Sequence, residues 1–136
     1  MYEVSVEGHF SAAHRLRGYR GDCERLHGHN YRVRAAVGVP ELGADGLALD
    51  FRDLKAALRE VLGELDHRHL NADVPEFAEG AQNPSAENLA RYVFERLAGR
   101  RLPNGARPVR VTVWESPGCS VTYDGVRGPG PAPGGR

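Results

Sequence analysis

The sequence predicts an α+β fold: a four-stranded antiparallel sheet with two helices on one face, in the order strand, strand, helix, helix, strand, strand. Three features predict it. Both ends of the chain alternate apolar and polar residues, the middle carries apolar residues at helical spacing, and proline and glycine punctuate the boundaries. The 136 residues suffice for one compact domain, whereas two independent cores would each be marginal. Residues 1–125 are therefore expected to form a single domain.

Tyr2, Val4 and Val6 alternate with Glu3, Ser5 and Glu7, the pattern of a half-buried strand, and the same phase continues through Phe10 and Ala12 to His14. A second strand follows the polar stretch Gly18 to Leu26. Its apolar phase is Tyr31, Val33, Ala35, Val37 and Val39, ended by Pro40. From Asp50 the period changes: Leu54, Leu58, Val61, Leu62 and Leu65 form a helical stripe, with Asp50 or Asp53 as cap and an end near Leu65 to Asp66. After a loop carrying Pro75, Gly80 and Pro84, Ser85 caps a second helix whose core side is Leu89, Val93 and Leu97, stopped at Gly99. Val109, Val111 and Val113 make a third strand. The turn Ser116-Pro117-Gly118 then folds Cys119, Val121 and Tyr123 back as a fourth. Residues 126–136, rich in glycine and proline with almost nothing to bury, are expected to be a disordered tail.

Such a small sheet leaves two edges and one face without cover, so association with further copies of the chain is expected. Lysine plus arginine number 18 and aspartate plus glutamate 18, a formal net charge of +0, which points away from nucleic acid and membrane surfaces as partners. The N-terminus has no basic patch leading into a long apolar run, and no segment approaches ~20 consecutive apolar residues. Neither export nor a membrane span is expected, and the expected compartment is the cytoplasm. There, the two cysteines, Cys23 and Cys119, are expected to be thiols and not a structural pair.

Six histidines all precede Leu70, and strand geometry can bring three of them together. His27 and His29 are two apart, so in extended chain their imidazoles point the same way. His14 ends the first strand, where an antiparallel neighbour would begin with His27. Three imidazoles with a fourth position open is the usual construction of a catalytic zinc site, whereas a structural site closes that position with protein. Gly28 between the histidines permits close backbone approach.

Cys23 lies four residues before His27. A thiol beside a cation has a lowered pKa and can act as base or nucleophile; the same position also suits a fourth zinc ligand or a small buried residue. Asp66-His67 follows the first helix, where a carboxylate can orient an imidazole for proton transfer or merely form a capping pair. Glu115 continues the phase of the third strand's valines. That places a carboxylate where it can grip a guanidine-like pair of N–H donors, or at an exposed strand end. His9, His69, Glu24 and Cys119 receive no role.

These motifs occur in one order: Phe10-Ser11-Ala12-Ala13-His14, Cys23-Glu24-Arg25-Leu26-His27-Gly28-His29, Leu65-Asp66-His67, Asn83-Pro84-Ser85-Ala86-Glu87-Asn88-Leu89 and Glu115. The series resembles the 6-pyruvoyl-tetrahydropterin synthase and 6-carboxytetrahydropterin synthase family, over Tyr2 to Asp124. The resemblance implies the tunnelling fold, in which trimers of the sheet close a barrel and two trimers stack into a homohexamer. It implies zinc (Zn2+) on His14, His27 and His29, Cys23 as catalytic base, Asp66 and His67 as the proton-relay pair, and Glu115 as the carboxylate that holds the pterin ring.

Only Glu24, Arg25 and Leu26 separate Cys23 from His27, the short spacing of the carboxy branch and not the longer one of the pyruvoyl branch. The resemblance therefore implies conversion of 7,8-dihydroneopterin triphosphate, a small pterin triphosphate, to 6-carboxy-5,6,7,8-tetrahydropterin. Acetaldehyde and triphosphate are released, on the route to 7-deazaguanine compounds such as queuosine. The alternatives within the family are 6-pyruvoyl-tetrahydropterin synthesis and a folate-type side-chain lyase, since some folate-pathway relatives use a glutamate in this loop in place of the cysteine, and Glu24 stands here beside Cys23. A noncatalytic zinc- or pterin-binding protein would have dispensed with Cys23, Asp66 and His67.

Overall fold

The computed structural model describes residues 1–18, 25–126 and 128. In chain order the elements are β1 (Tyr2–His14), β2 (His27–Val39), α1 (Phe51–Gly63), β3 (Arg68–His69), α2 (Leu70–Asp73), α3 (Ala86–Ala98), β4 (Arg107–Ser116) and β5 (Cys119–Tyr123). They form one sheet in the order β3-β1-β2-β4-β5. The four long strands pair antiparallel, as their alternation predicts. The sheet has a fifth member beyond the expected four, because β3 lies parallel to β1 at Ala12 and Ala13. A two-residue strand has no period to read, and α2 and the 3-10 turn Pro75–Phe77 are likewise hidden in what reads as a loop.

One face of the sheet carries both long helices. The inward phases Val6, Phe10 and Ala12 of β1, Tyr31, Val33, Ala35 and Val37 of β2, and Val111 and Val113 of β4 are all buried against Leu54, Leu58, Val61 and Leu62 of α1 and Leu89, Val93 and Leu97 of α3. Asp50 caps α1 by accepting from the Arg52 N–H at 2.8 Å, and Ser85 caps α3 by accepting from the Asn88 N–H at 3.2 Å, each contact worth about 1 kcal/mol. Helix α1 closes slightly earlier than its apolar stripe suggests, and Leu65 is buried from the turn that follows. Gly8 allows the helix to sit close to β1: a Cβ there would lie 2.9 Å from Leu62 Cδ1.

The opposite face is polar. Arg34 and Arg110 pair with Glu7 and Glu3 at 3.0 and 2.8 Å, and the Arg32 guanidinium lies 3.9 Å from the centre of the Trp114 ring. The architecture brings the end of β1, the start of β2 and the end of β4 to one end of the sheet, through the pairings His14 with His27 and Arg32 with Trp114. Among the described residues, no helix is long and apolar enough to cross a membrane. The expected tail lies outside the described residues apart from Val126 and Gly128.

Candidate metal centre and its surroundings

His14, His27 and His29 converge at that end of the sheet, each offering a ring nitrogen within 4.8 Å of the others. The register explains it. His14 stands directly opposite His27, and Ala12 stands opposite His29, so the three inward side chains form a triangle across two strands. Ring centres are 4.6, 5.1 and 4.8 Å apart, all edge to face. His14 is fully buried, and His29 is about a quarter exposed at 26%.

Two backbone carbonyls decide which nitrogens carry hydrogen. His14 Nδ1 lies 2.6 Å from Pro84 O, and His27 Nδ1 lies 2.7 Å from Arg25 O. A carbonyl only accepts, so each Nδ1 donates and each neutral ring is left with a lone pair on Nε2. Those two Nε2 atoms face each other at 3.0 Å, and the Glu115 carboxylate stands 3.7 Å from His14 Nε2 and from His29 Nε2. Electron-rich atoms thus converge with no hydrogen between the two imidazoles. Protonating His14 would relieve this, but burial holds its pKa below the ordinary 6.5, aided by the neighbouring histidines and opposed by Pro84 and Glu115. Burial lowers the pKa of His29 as well.

A divalent cation satisfies these donors without a proton. For tetrahedral zinc with bonds of 2.0–2.1 Å, ligand nitrogens lie about 3.3 Å apart, close to the His14–His27 spacing. The donor set therefore fits zinc: two of the three imidazoles, His14 and His27, are already held by carbonyls on their far nitrogens, as metal-binding histidines normally are.

The Asp66-His67 pair is built differently. Asp66 Oδ1 accepts from the Ser11 backbone N–H at 2.9 Å, the His67 N–H donates to Ser11 O at 2.6 Å, and His67 Nδ1 lies 3.0 Å from Asp66 Oδ2. One residue of β1 thus grips the pair by its main chain. The Ser11 bond, with His67 behind it, holds the Asp66 carboxyl below its usual range. The His67 side chain is 84% exposed, and its backbone has φ of +58°, uncommon for any residue but glycine. It borders a depression whose lining includes Ser11, Ala12, Ala13, Gly28, Asn30 and the triad member His29. His14 is fully buried, whereas His67 stands exposed at the edge of the sheet, beside β1.

Cys23 and Glu24 lie outside the described residues. The chain leading towards them is held by two asparagine clamps invisible to periodicity. Asn71 exchanges two hydrogen bonds with the main chain of Arg15, at 2.8 and 2.9 Å, and Asn83 does the same for Arg17. The Arg17 guanidinium also donates to the carbonyls of Phe77, Ala81 and Gln82. Tyr31 and Pro84 are further neighbours of the triad that a sequence reading passes over, since a buried tyrosine in phase reads as core and a carbonyl leaves no sequence trace. A surface cavity of about 700 Å³, lined by residues 98–108, shares no residue with this region.

Residues 3–126 match the family model of 6-pyruvoyl tetrahydropterin synthase. A 6-carboxy-5,6,7,8-tetrahydropterin synthase from Synechocystis is 35% identical, covering 76% of this chain and 80% of that protein. A dihydroneopterin monophosphate aldolase from Pyrococcus furiosus is 34% identical over 78% of this chain and 82% of its own. The solved structure of the Caenorhabditis elegans 6-pyruvoyl tetrahydropterin synthase superposes with a TM-score of 0.76 at 33% identity, over 93% of this chain and 98% of that one. On a family model spanning nearly the whole chain and on relatives matched along most of their length, the chain belongs to the 6-pyruvoyl tetrahydropterin synthase family of pterin side-chain lyases.

Proposed function

We propose that the protein is a zinc-dependent lyase that converts 7,8-dihydroneopterin triphosphate and water to 6-carboxy-5,6,7,8-tetrahydropterin, acetaldehyde and triphosphate, as a step towards 7-deazaguanine compounds such as queuosine. The observation that carries the zinc reading is the meeting of two carbonyl-held imidazoles through their bare Nε2 atoms at 3.0 Å. The three-residue spacing from Cys23 to His27, together with the Synechocystis relative, supports the carboxy branch.

His14, His27 and His29 would hold the zinc, which when bound supplies Lewis acidity to oxygens of the substrate side chain. Cys23, four residues before His27 in the sequence, is assigned the proton abstraction as a thiolate. His67, oriented by Asp66 and fixed through Ser11, delivers a proton elsewhere on the substrate. Glu115 accepts two N–H bonds from the guanidine-like edge of the pterin, which fixes the ring while the side chain is cut. Because the His67 side chain is 84% exposed and the pair makes no hydrogen bond to the triad among the described residues, we assign Asp66 and His67 to the site of a neighbouring copy. The working assembly is then a homo-oligomer built from trimers, with a hexamer as the family's pattern.

The test is product analysis by mass after incubating zinc-loaded protein with dihydroneopterin triphosphate. The expected products are 6-carboxytetrahydropterin and acetaldehyde. 6-Pyruvoyltetrahydropterin as main product would move the protein to the pyruvoyl branch. Glu24 and the Pyrococcus relative favour a second reading, side-chain removal of the folate type, which would appear as 6-hydroxymethyl-dihydropterin. No turnover by zinc-loaded protein would sink the enzymatic reading.

A further inference from the structure

Beneath the histidine triad lies one more polar group that the proposed chemistry does not use. Tyr31 is wholly inaccessible, in a core that is otherwise aliphatic and aromatic apart from His14. Its ring stacks on Phe10 with centres 4.5 Å apart and planes 10° from parallel, and it meets His14 and His29 edge to face at 6.0 and 5.4 Å. For these packing contacts a phenylalanine would serve as well, and burying a hydroxyl is unfavourable unless it gains a partner.

The hydroxyl oxygen sits 3.2 Å from His14 Nδ1 and 3.5 Å from Nε2, alongside the ring edge that carries both nitrogens. Since Pro84 O takes the Nδ1 hydrogen as its near partner at 2.6 Å, the tyrosine oxygen flanks an imidazole whose tautomer is already set. Carbonyl on one side and phenol on the other leave the His14 ring little freedom to tilt.

We propose that Tyr31 is a positioning residue for the metal: its hydroxyl, with the Pro84 carbonyl, locks the His14 imidazole so that Nε2 is presented to the ion. The proposal rests on the zinc reading above. Its reach is limited to His14, because the structure gives the Tyr31 hydroxyl no polar contact with His27 or His29 among the described residues.

The experiment compares the wild-type chain with Tyr31→Phe, which keeps the ring on Phe10, and Tyr31→Leu, which loses it. Three quantities are measured on the purified chain without substrate: zinc affinity by competition with a chelator, the visible absorption of the cobalt(II)-loaded form, and the melting temperature of the metal-free form. Y31F should melt close to wild type yet bind zinc about tenfold more weakly or worse, with a displaced cobalt spectrum, as is usual when a partner of a metal ligand is lost. Y31L should lose both stability and affinity. Unchanged affinity and spectrum in Y31F overturn the proposal, as does a Y31F melting temperature as low as that of Y31L. A wild-type chain that binds neither ion overturns the zinc reading itself and takes this proposal with it.

Discussion

The histidine triad and the Asp66-His67 pair are held at the same end of one strand by opposite physical means. The triad is finished inside the chain: its members come from adjacent strands, its orienting carbonyls are internal, and its deepest member is fully buried. The pair is gripped by the main chain of Ser11 and, at Asp66 N–H, of Leu62, leaves His67 exposed, and places that residue in left-handed backbone. A buried cluster of neutral imidazoles is preorganised to hold a cation, whereas an exposed imidazole beside a carboxylate needs another surface to exclude water before proton transfer is efficient. The difference teaches that one half of the proposed chemistry is stored in the core and the other is displayed at an edge.

The sharpest way to break this comparison is to remove one member of each region. His14→Ala deletes a ligand and strands the Pro84 carbonyl, so the purified chain should lose bound zinc and all measurable turnover. His67→Ala should keep a full complement of zinc and lose turnover by roughly 10²–10⁴-fold, the usual worth of a proton-transfer group. Metal content by atomic emission and product formation by mass separate the two. If H67A also loses zinc, the pair belongs to the metal site and the contrast between them fails.

A second measurement asks whether the two regions meet across copies. Equal amounts of the two inactive variants, unfolded and refolded together, should regain a substantial fraction of activity, because some interfaces then bring an intact triad to an intact pair. No regain, with mixed oligomers verified by native mass, would place both regions in a site within one chain.

The strands and the triad were legible in the sequence because alternation over many residues fixes both the face of His14 and the side shared by His27 and His29. Helix caps at Asp50 and Ser85 were equally readable. What stayed hidden has no period. β3 is two residues held by long-range pairing, the grip on Asp66 comes from a backbone amide, and Pro84 contributes only its carbonyl. Tyr31 was visible as core but not as a polar neighbour of His14, since phase does not distinguish a phenol from a phenyl ring.

Acid acts on both regions in the same direction but over different ranges. His14 and His29 have folded pKa values below 6.5 because burial disfavours their charged forms, while the unfolded chain titrates ordinarily. The unfolded state therefore binds more protons in that window. Stability of the metal-free chain is fully present above about pH 6.5 and falls as the pH drops through the window below it. Asp66 is depressed below 3.8, so its contribution is present above that value and disappears only at lower pH. Denaturant midpoints of the metal-free chain should begin to fall between pH 6.5 and 5, and zinc should suppress that first loss. A flat midpoint down to pH 4 would show that the triad is not desolvated in solution.

The smallest effect concerns the backbone of His67. At φ of +58° a residue with a Cβ is strained by roughly 1–2 kcal/mol relative to glycine, and the observed outlier sits at the residue proposed to move a proton. His67→Gly removes that strain and the exposed contact with Asp66, which is worth little, but frees the unfolded chain by roughly 0.4–1 kcal/mol. The net change should be a stabilisation of about 1 kcal/mol or less, seen as a small rise in melting temperature. His67→Ala, which keeps the strain, should show no such rise. Both variants should be inactive. A glycine variant that gains stability while losing turnover would identify the left-handed turn as strain retained for the imidazole it presents. If instead H67G melts well below wild type, the His67 side chain holds the edge together, and the exposed half of the site is structural before it is chemical.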